Sequence, residues 1–399
     1  MENDQLKYYE IVAREFMISD VIYGQTETHP YIAKFSGQLK NEDSESAYAA
    51  LETALEPLNL TPVFRMEEDT QVIFLIPKMA KPKKSNPVAN VVLFILTLIS
   101  VLFAGGLYGL DTELPQNTGQ MILTILKNGW PFAVSLLAIL GTHEFGHYFM
   151  GKKHGVDVTL PYFIPFPFNT FGTMGAFINM RTVPKNKKQL FDIAVAGPLS
   201  GLIVSVIVLL IGLRLSDVYT LPLVIPSGSG LQMEGNSLLY LLLKYVTFGK
   251  WLPAPANTSG LMLLIYWFKY FFTGNPIPLG GQDVMLHPVA WAGWAGLFVT
   301  MLNLIPVGQL DGGHIFQALF GTKNSKRILP FIIVTLALLG FFWNVWWFWA
   351  VLALLMGRTY AEPLDQITRL DKKRKGIGIV MIILFILIFI PVPITVLYG

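Results

Sequence analysis

The patterning of this chain predicts an α-helical polytopic membrane protein carrying a small soluble α/β domain at its N-terminal end. Three observations predict it. Of 399 residues, 53% are hydrophobic and 14% charged, against roughly 25% charged in an ordinary soluble domain. Five stretches, residues 85–110, 193–213, 284–310, 328–357 and 376–399, contain no Asp, Glu, Lys or Arg. Each is long enough to cross a ~30 Å hydrocarbon layer, which takes about 20 apolar residues. Finally, 14 of the 26 Asp and Glu residues fall within the first 84 positions, which sets an acidic, water-compatible segment apart from the rest. The net charge of +3 leaves no electrostatic footprint for nucleic acid. With no cysteine, disulfides and thiolate metal ligands are excluded.

Residues 1–80 read as the soluble cap. Positions 31–39 alternate apolar and polar residues at strand period. Over 43–58, Tyr48, Leu51, Leu55 and Leu58 recur at helical spacing. Residues 62–77 resemble a hairpin turning near Glu68-Asp69-Thr70. A basic linker, 81–87, comes after Lys78 and brings Lys81, Lys83 and Lys84 directly before the first apolar run. Cytoplasmic flanks are enriched in Lys and Arg, so this cluster and those at 152–153, 181–188, 323–327 and 372–375 are expected on the cytoplasmic side. That placement gives a path. A span at about 88–110 runs out to an acidic loop at Asp111 and Glu113, and 129–150 returns. Residues 156–188 begin and end inside, 190–213 exits, and 286–320 comes back. A tight hairpin of two short helices around Trp343-Asn344 precedes a last span at 377–397. Within 214–285, the runs 238–248 and 261–272 are apolar but short, and suit an outer hairpin or interfacial helices. About six to nine spans result, with a core at 88–357 and a basic loop plus final helix at 358–399. The opening Met-Glu-Asn-Asp has no apolar run nearby, so a cleaved signal peptide is not expected. On that ground a bacterial cell membrane is favoured, with a plastid membrane as the alternative.

The span at 129–150 contains Gly141-Thr-His-Glu-Phe-Gly-His147, an H-E-x-x-H pattern. Positions i and i+4 share a helix face, with Cβ atoms about 5–6 Å apart. His143 and His147 can therefore each offer a ring nitrogen to one zinc at ~2.0–2.1 Å. Glu144 sits one position round, placed to take a proton from a Zn-activated water whose pKa the metal lowers toward ~7. The plain alternative is chance, with two hydrogen-bonded core histidines. Against it, Glu144 is the only carboxylate between Glu113 and Asp157. Such a group at membrane depth costs at least ~2.5 kcal/mol when unpaired. A catalytic zinc needs a third protein ligand. Asp311 is the first candidate, lying where Pro306, Gly308, Gly312 and Gly313 break an apolar run. Broken helices at membrane depth are tolerated where the backbone lines a cavity. Asp311 also reads as a helix N-cap. His314 is a lesser rival ligand, His154 is expected to be exposed, His287 belongs to the outer end of its span, and His29 to the soluble domain.

H-E-F-G-H in one span and N-x-x-P-x-x-x-L-D-G-G, from Asn303 to Gly313, in a later one resemble the site-2 protease family of intramembrane metalloproteases. The resemblance extends over about 88–357. It implies one Zn2+ per chain held by His143, His147 and Asp311, with Glu144 as general base. It also implies that Asn303 lies beside the cleft, touching substrate or oxyanion, although by its residue type alone Asn303 is equally an interhelical hydrogen-bond donor. The implied activity is regulated intramembrane proteolysis of single-pass transmembrane substrates within the lipid bilayer. Many relatives carry a PDZ domain between the two motifs. Residues 214–285 are too short and too apolar for one, which leaves the cap as the candidate regulator.

Residues 168–181 come after a Pro-rich run, and Gly172 and Gly175 precede the alternating positions 176–180. This reads as a re-entrant strand or hairpin, which the resemblance also implies. An unwound substrate paired on such an edge would be held extended, so Gly172 and Gly175 are candidate substrate-binding positions; a structural loop over the cleft is the alternative. Asp192 and Gly197-Pro198 read as packing residues. Two other functions compete. A metal transporter needs polar residues along several spans, and these are scarce. A non-proteolytic scaffold for membrane helices has no use for Glu144.

Overall fold

A computed structural model of the chain describes residues 2–24, 31–80, 86–108, 117–228, 230–256 and 258–399. His29, the linker residues Lys81, Lys83 and Lys84, and the expected acidic loop at Asp111 and Glu113 lie outside the described residues.

The cap begins with α1 (Glu2–Val12) and β1 (Phe16–Tyr23), followed by β2 (Ala33–Leu39), α2 (Ser44–Leu55), β3 (Leu60–Glu67) and β4 (Thr70–Pro77). Its strands form one antiparallel sheet in the order β1-β2-β4-β3. Glu67 pairs with Thr70 across the β3–β4 turn. Asp43 caps α2, its carboxylate accepting from the Glu45 and Ser46 amides at 3.1 and 3.4 Å. Phe16, Phe35, Leu51, Leu55 and Phe64 fill the core between sheet and helix.

Then come α3 (Val88–Leu107), α4 (Thr118–Lys153), the hairpin β5 (Tyr162–Pro165) and β6 (Thr173–Phe177), and α5 (Lys187–Arg214). By length and composition, α3, α4 and α5 are the three helices able to cross a membrane among the described residues. The helix α4 starts eleven residues before the expected boundary of 129, capped by Asn117, and continues through Pro131. The β5–β6 hairpin is tied to α3: Asn90 Nδ2 donates to the carbonyls of Leu160 and Pro161, and Ser100 Oγ to that of Gly172.

Residues 215–287 hold β7 (Asp217–Thr220), β8 (Gly230–Glu234), the short helices α6 (Leu238–Phe248) and α7 (Gly260–Thr273), and β9 (Gln282–Met285), which pairs with β7. Beyond them are α8 (Pro288–Asn303), α9 (Asp311–Phe320), α10 (Thr322–Leu339), α11 (Val345–Met356), α12 (Lys372–Ile388) and β10 (Ile394–Tyr398). His287 caps α8, with Pro288 in the first turn where its missing N–H costs nothing. The apolar run expected as one span at 286–320 is two helices with a break at 304–310, and α10–α11 form the expected hairpin about 340–344. The last element is a correction. The expected span at 377–397 ends as a helix at Ile388, because Pro391 and Pro393 cannot continue one, and β10 then pairs antiparallel with β8.

The helix α5 packs between α4 and α8. A side chain at Gly293 would lie 2.6 Å from the Leu209 Cα, so the glycine sets how closely α8 approaches α5. Trp291, Trp294, Phe132 and Leu209 are fully buried there. The cap rests on the lysine-bearing start of α5. Lys185 binds Glu52 at 2.7 Å and Lys188 binds Glu45 at 2.6 Å. Residues 360–371 form a strap across this junction: Phe64 N–H donates to the Leu364 carbonyl, and Asp365 N–H to that of Lys185. The Asp365 side chain is buried and accepts from Ser44 Oγ, Thr368 Oγ1 and two backbone amides.

Candidate metal centre

One turn of α4 carries His143, Glu144 and His147, all at least 94% buried. Their i, i+4 spacing brings the two Nε2 atoms to 3.1 Å. Asp311 comes from the start of α9, after the chain has turned through 304–310. Gly308 takes a φ of +51°, and Gly312 and Gly313 lie directly against the carbonyls of Leu304 and Gly308, where a Cβ would overlap. That compact turn aims Asp311 Oδ2 at both imidazoles, 3.3 Å from each Nε2. The capping alternative does not hold: the cap position of α9 is Leu310, and it carries no side-chain cap bond.

Three donor atoms at 3.1, 3.3 and 3.3 Å form a nearly equilateral face. Ligands at ~2.0–2.1 Å in tetrahedral array stand about 3.3–3.4 Å apart, so these residues fit a zinc ion. They are the one such metal-suited group among the described residues. Support comes from main chain. His147 Nδ1 lies 2.7 Å from the Ile193 carbonyl on α5. Donating there fixes the tautomer and leaves the Nε2 lone pair facing the donor triangle.

Two glycines of α5 make room for the rings. A Cβ at Gly197 would overlap the His147 imidazole, and one at Gly201 would lie 3.0 Å from His143 Cβ. Neither was assigned chemistry from sequence, where Gly197 reads as packing. Their i, i+4 spacing on an apolar helix was the available signal, since small residues so placed admit a close neighbour.

A pocket of about 240 Å³ opens on the triangle. Asn303, at the end of α8, lines it, as do Ala176, Phe177 and Ile178 at the end of β6. Gly172 and Gly175 do not line it. Gly172 (φ +72°) seats the hairpin turn within 2.6 Å of the Ser100 carbonyl, measured from an added Cβ, and Gly175 (φ +101°) lies within β6 beside open space. His314 also lines the pocket but is not in the metal-suited group, and its buried Nδ1 has no hydrogen-bond partner. His154, expected to be exposed, instead pairs with Asp192 at 3.0 Å; the same carboxylate accepts from Arg374 Nε and Nη2 at 2.8 and 2.6 Å.

The family model described as Peptidase family M50 matches residues 131–343, more than half of the chain and both halves of this site. The chain belongs to peptidase family M50. Its M50 segment therefore begins within α4 and ends at the α10–α11 turn, and it includes the helix-breaking loop before Asp311. This is the site-2 protease family of the sequence resemblance. Among curated proteins similar to this M50 chain is the Arabidopsis thaliana chloroplastic protein named probable zinc metalloprotease EGY2, 27% identical over 356 residues, which are 87% of this chain and 58% of the relative. The probable zinc metalloprotease EGY1 of Oryza sativa subsp. japonica, also chloroplastic, is 31% identical over 270 residues, 63% of this chain and 41% of the relative. The Arabidopsis thaliana probable zinc metallopeptidase EGY3 is 30% identical over 220 residues, 54% and 34%. The chain thus spans little more than half the length of these relatives, or less. No solved structure matches it.

Proposed function

We propose that the chain is a zinc-dependent intramembrane endopeptidase that cuts single-pass transmembrane proteins. The observation that carries this reading is the convergence of two imidazoles on α4 and one carboxylate on α9. His143, His147 and Asp311 would hold the ion, which when bound supplies Lewis-acid polarisation of a carbonyl and lowers the pKa of a water. Glu144 takes the proton of the attacking water as the new C–O bond forms, and delivers it to the departing amide nitrogen as the C–N bond breaks. Asn303, which lines the pocket, donates to substrate or oxyanion in this reading. The strand β6 has β5 on one side only among the described residues, so its other edge can pair with an unwound substrate. Gly175 lies in that strand beside open space, and Gly172 seats its turn against α3.

In this reading the chain crosses the membrane six to nine times, with the lysine clusters, the cap and the site toward the cytoplasmic side or its equivalent. The relatives named above are chloroplastic, which favours a plastid membrane over the bacterial one expected from sequence.

The test is Glu144→Gln in protein reconstituted with a helical transmembrane substrate. Cleavage should fall by about 10²–10⁴-fold while one zinc per chain remains by metal analysis. Undiminished cleavage by that variant rejects the mechanism.

A further inference from the structure

A second cavity, of about 370 Å³, lies where the cap meets the core. Met66 of β3, Lys187 and Leu190 of α5, Gln317 of α9 and Lys323 of α10 wall it, with Gln366 of the strap. Leu190 also lines the metal-centre pocket, so a single side chain borders both spaces.

Three polar groups in this cavity are left over by the fold. Gln317 is 94% buried; its Nε2 donates to Thr322 Oγ1 at 3.1 Å, and its Oε1 has no partner. A buried carbonyl oxygen in that condition is unfavourable until a donor reaches it. Among the described residues the half-buried Lys187 and the exposed Lys323 make no ion pair, although Lys185 and Lys188, beside Lys187, each bind a cap glutamate. One carboxylate, Glu362, belongs to the wall itself and is offset by Arg65 at 3.5 Å, while Asp365 is held by Ser44, Thr368 and backbone amides, so the two lysines leave the cavity net positive.

One acceptor seeking an N–H, beside two ammonium groups seeking anions, is the complement of an extended acidic peptide. We infer that this cavity receives the acidic flank of the substrate, the few residues that continue past the scissile bond on the lysine-rich side. Lys187 and Lys323 bind its carboxylates, and a rotation of the enclosed Gln317 amide brings Oε1 to one of its backbone N–H groups. The inference rests on the peptidase reading above and adds to it a preference for acidic residues beyond the cut.

Two measurements test it. In the full-length Glu144→Gln protein, a fluorescent peptide rich in Asp and Glu should bind about tenfold more tightly than its Asn and Gln counterpart, the scale of one or two charge-assisted hydrogen bonds. The Lys187→Gln/Lys323→Gln variant should abolish the difference. In the active protein, transmembrane substrates differing only in an acidic or a basic flank should be cut in favour of the acidic one. Lys187→Glu/Lys323→Glu should invert that order, a gain that misfolding cannot produce. Equal binding of both peptides, displacement of the acidic peptide by inorganic phosphate at equal charge concentration, or an unchanged flank order in the charge-reversed variant would each overturn the inference. If no substrate is cut whatever its flank, the peptidase reading fails, while the peptide titration still decides the cavity.

Discussion

Two clusters of charge are buried toward opposite ends of α5, and they are built on opposite plans. At His143, His147 and Asp311, three electron-pair donors face one another at 3.1–3.3 Å with no ammonium or guanidinium among them. At the far end, Glu234 and Asp283 close around a fully buried Lys244, whose Nζ is 3.9 and 3.6 Å from their carboxylates. That ammonium also lies 4.5 Å from the centre of the Tyr240 ring, and Tyr240 OH donates to Glu234 at 2.8 Å. The second cluster brings its own cation; the first is arranged for one from outside. Buried charge alone therefore does not mark a metal site. The distinguishing features are a donor set without an internal counter-charge, glycines that admit the rings, and a pocket leading to it.

The sharpest way to break this contrast is to delete a donor from the first cluster. Asp311→Ala should abolish cleavage and weaken zinc binding by more than the ~10–100-fold typical of losing a merely supporting partner, measured by competitive chelation. Retention of one tightly held zinc would undo the parallel. The corresponding deletion at the other end is Lys244→Met. It leaves two buried carboxylates uncompensated and should cost about 3–5 kcal/mol in denaturant unfolding, with zinc content unchanged. Adding Glu234→Gln and Asp283→Asn should recover much of that loss, as expected if the lysine serves only its own pair.

A smaller effect tests the glycine relief. Gly197→Ala should cost about 1–3 kcal/mol through overpacking and lower the zinc content by moving the His147 ring; full zinc content would show that α5 yields instead. A last test concerns pH. Burial and the neighbouring Asp283 push Glu234 up to about 7, from an ordinary 4.5. The folded chain then keeps a proton that the unfolded chain releases. This stabilisation is complete below about pH 4.5 and is lost as pH rises through about 7. The melting temperature in detergent should decline between pH 5 and 8, and Glu234→Gln should flatten the decline.

The sequence disclosed one cluster and hid the other for a physical reason. His143, Glu144 and His147 lie on one helical turn, and Asp311 stands among helix breakers, so spacing and composition expose them. Glu234, Lys244 and Asp283 sit on two strands and a short helix, with no periodicity linking them. The same holds for the rest of the fold. Uncharged runs marked α3, α5 and the α10–α11 hairpin, and alternation marked β2. Nothing in the sequence marks the helix α1, which is rich in Asp, Glu, Asn and Gln and buries only Ile11 and Val12 among its described side chains. β10 lies within the same apolar run as α12, and only Pro391 and Pro393 separate the two. The Ile193 carbonyl behind His147 is main chain, which no residue type announces.

That carbonyl has a consequence for how the molecule can be tuned. A side-chain partner could be edited away by one substitution, but a peptide oxygen moves only when its helix moves. The start of the same helix is clasped by Glu45 and Glu52, and a turn and a half further on it holds the imidazole. α5 is thus a lever, and a partner that loosened the clasp would reach the His147 ring without touching it.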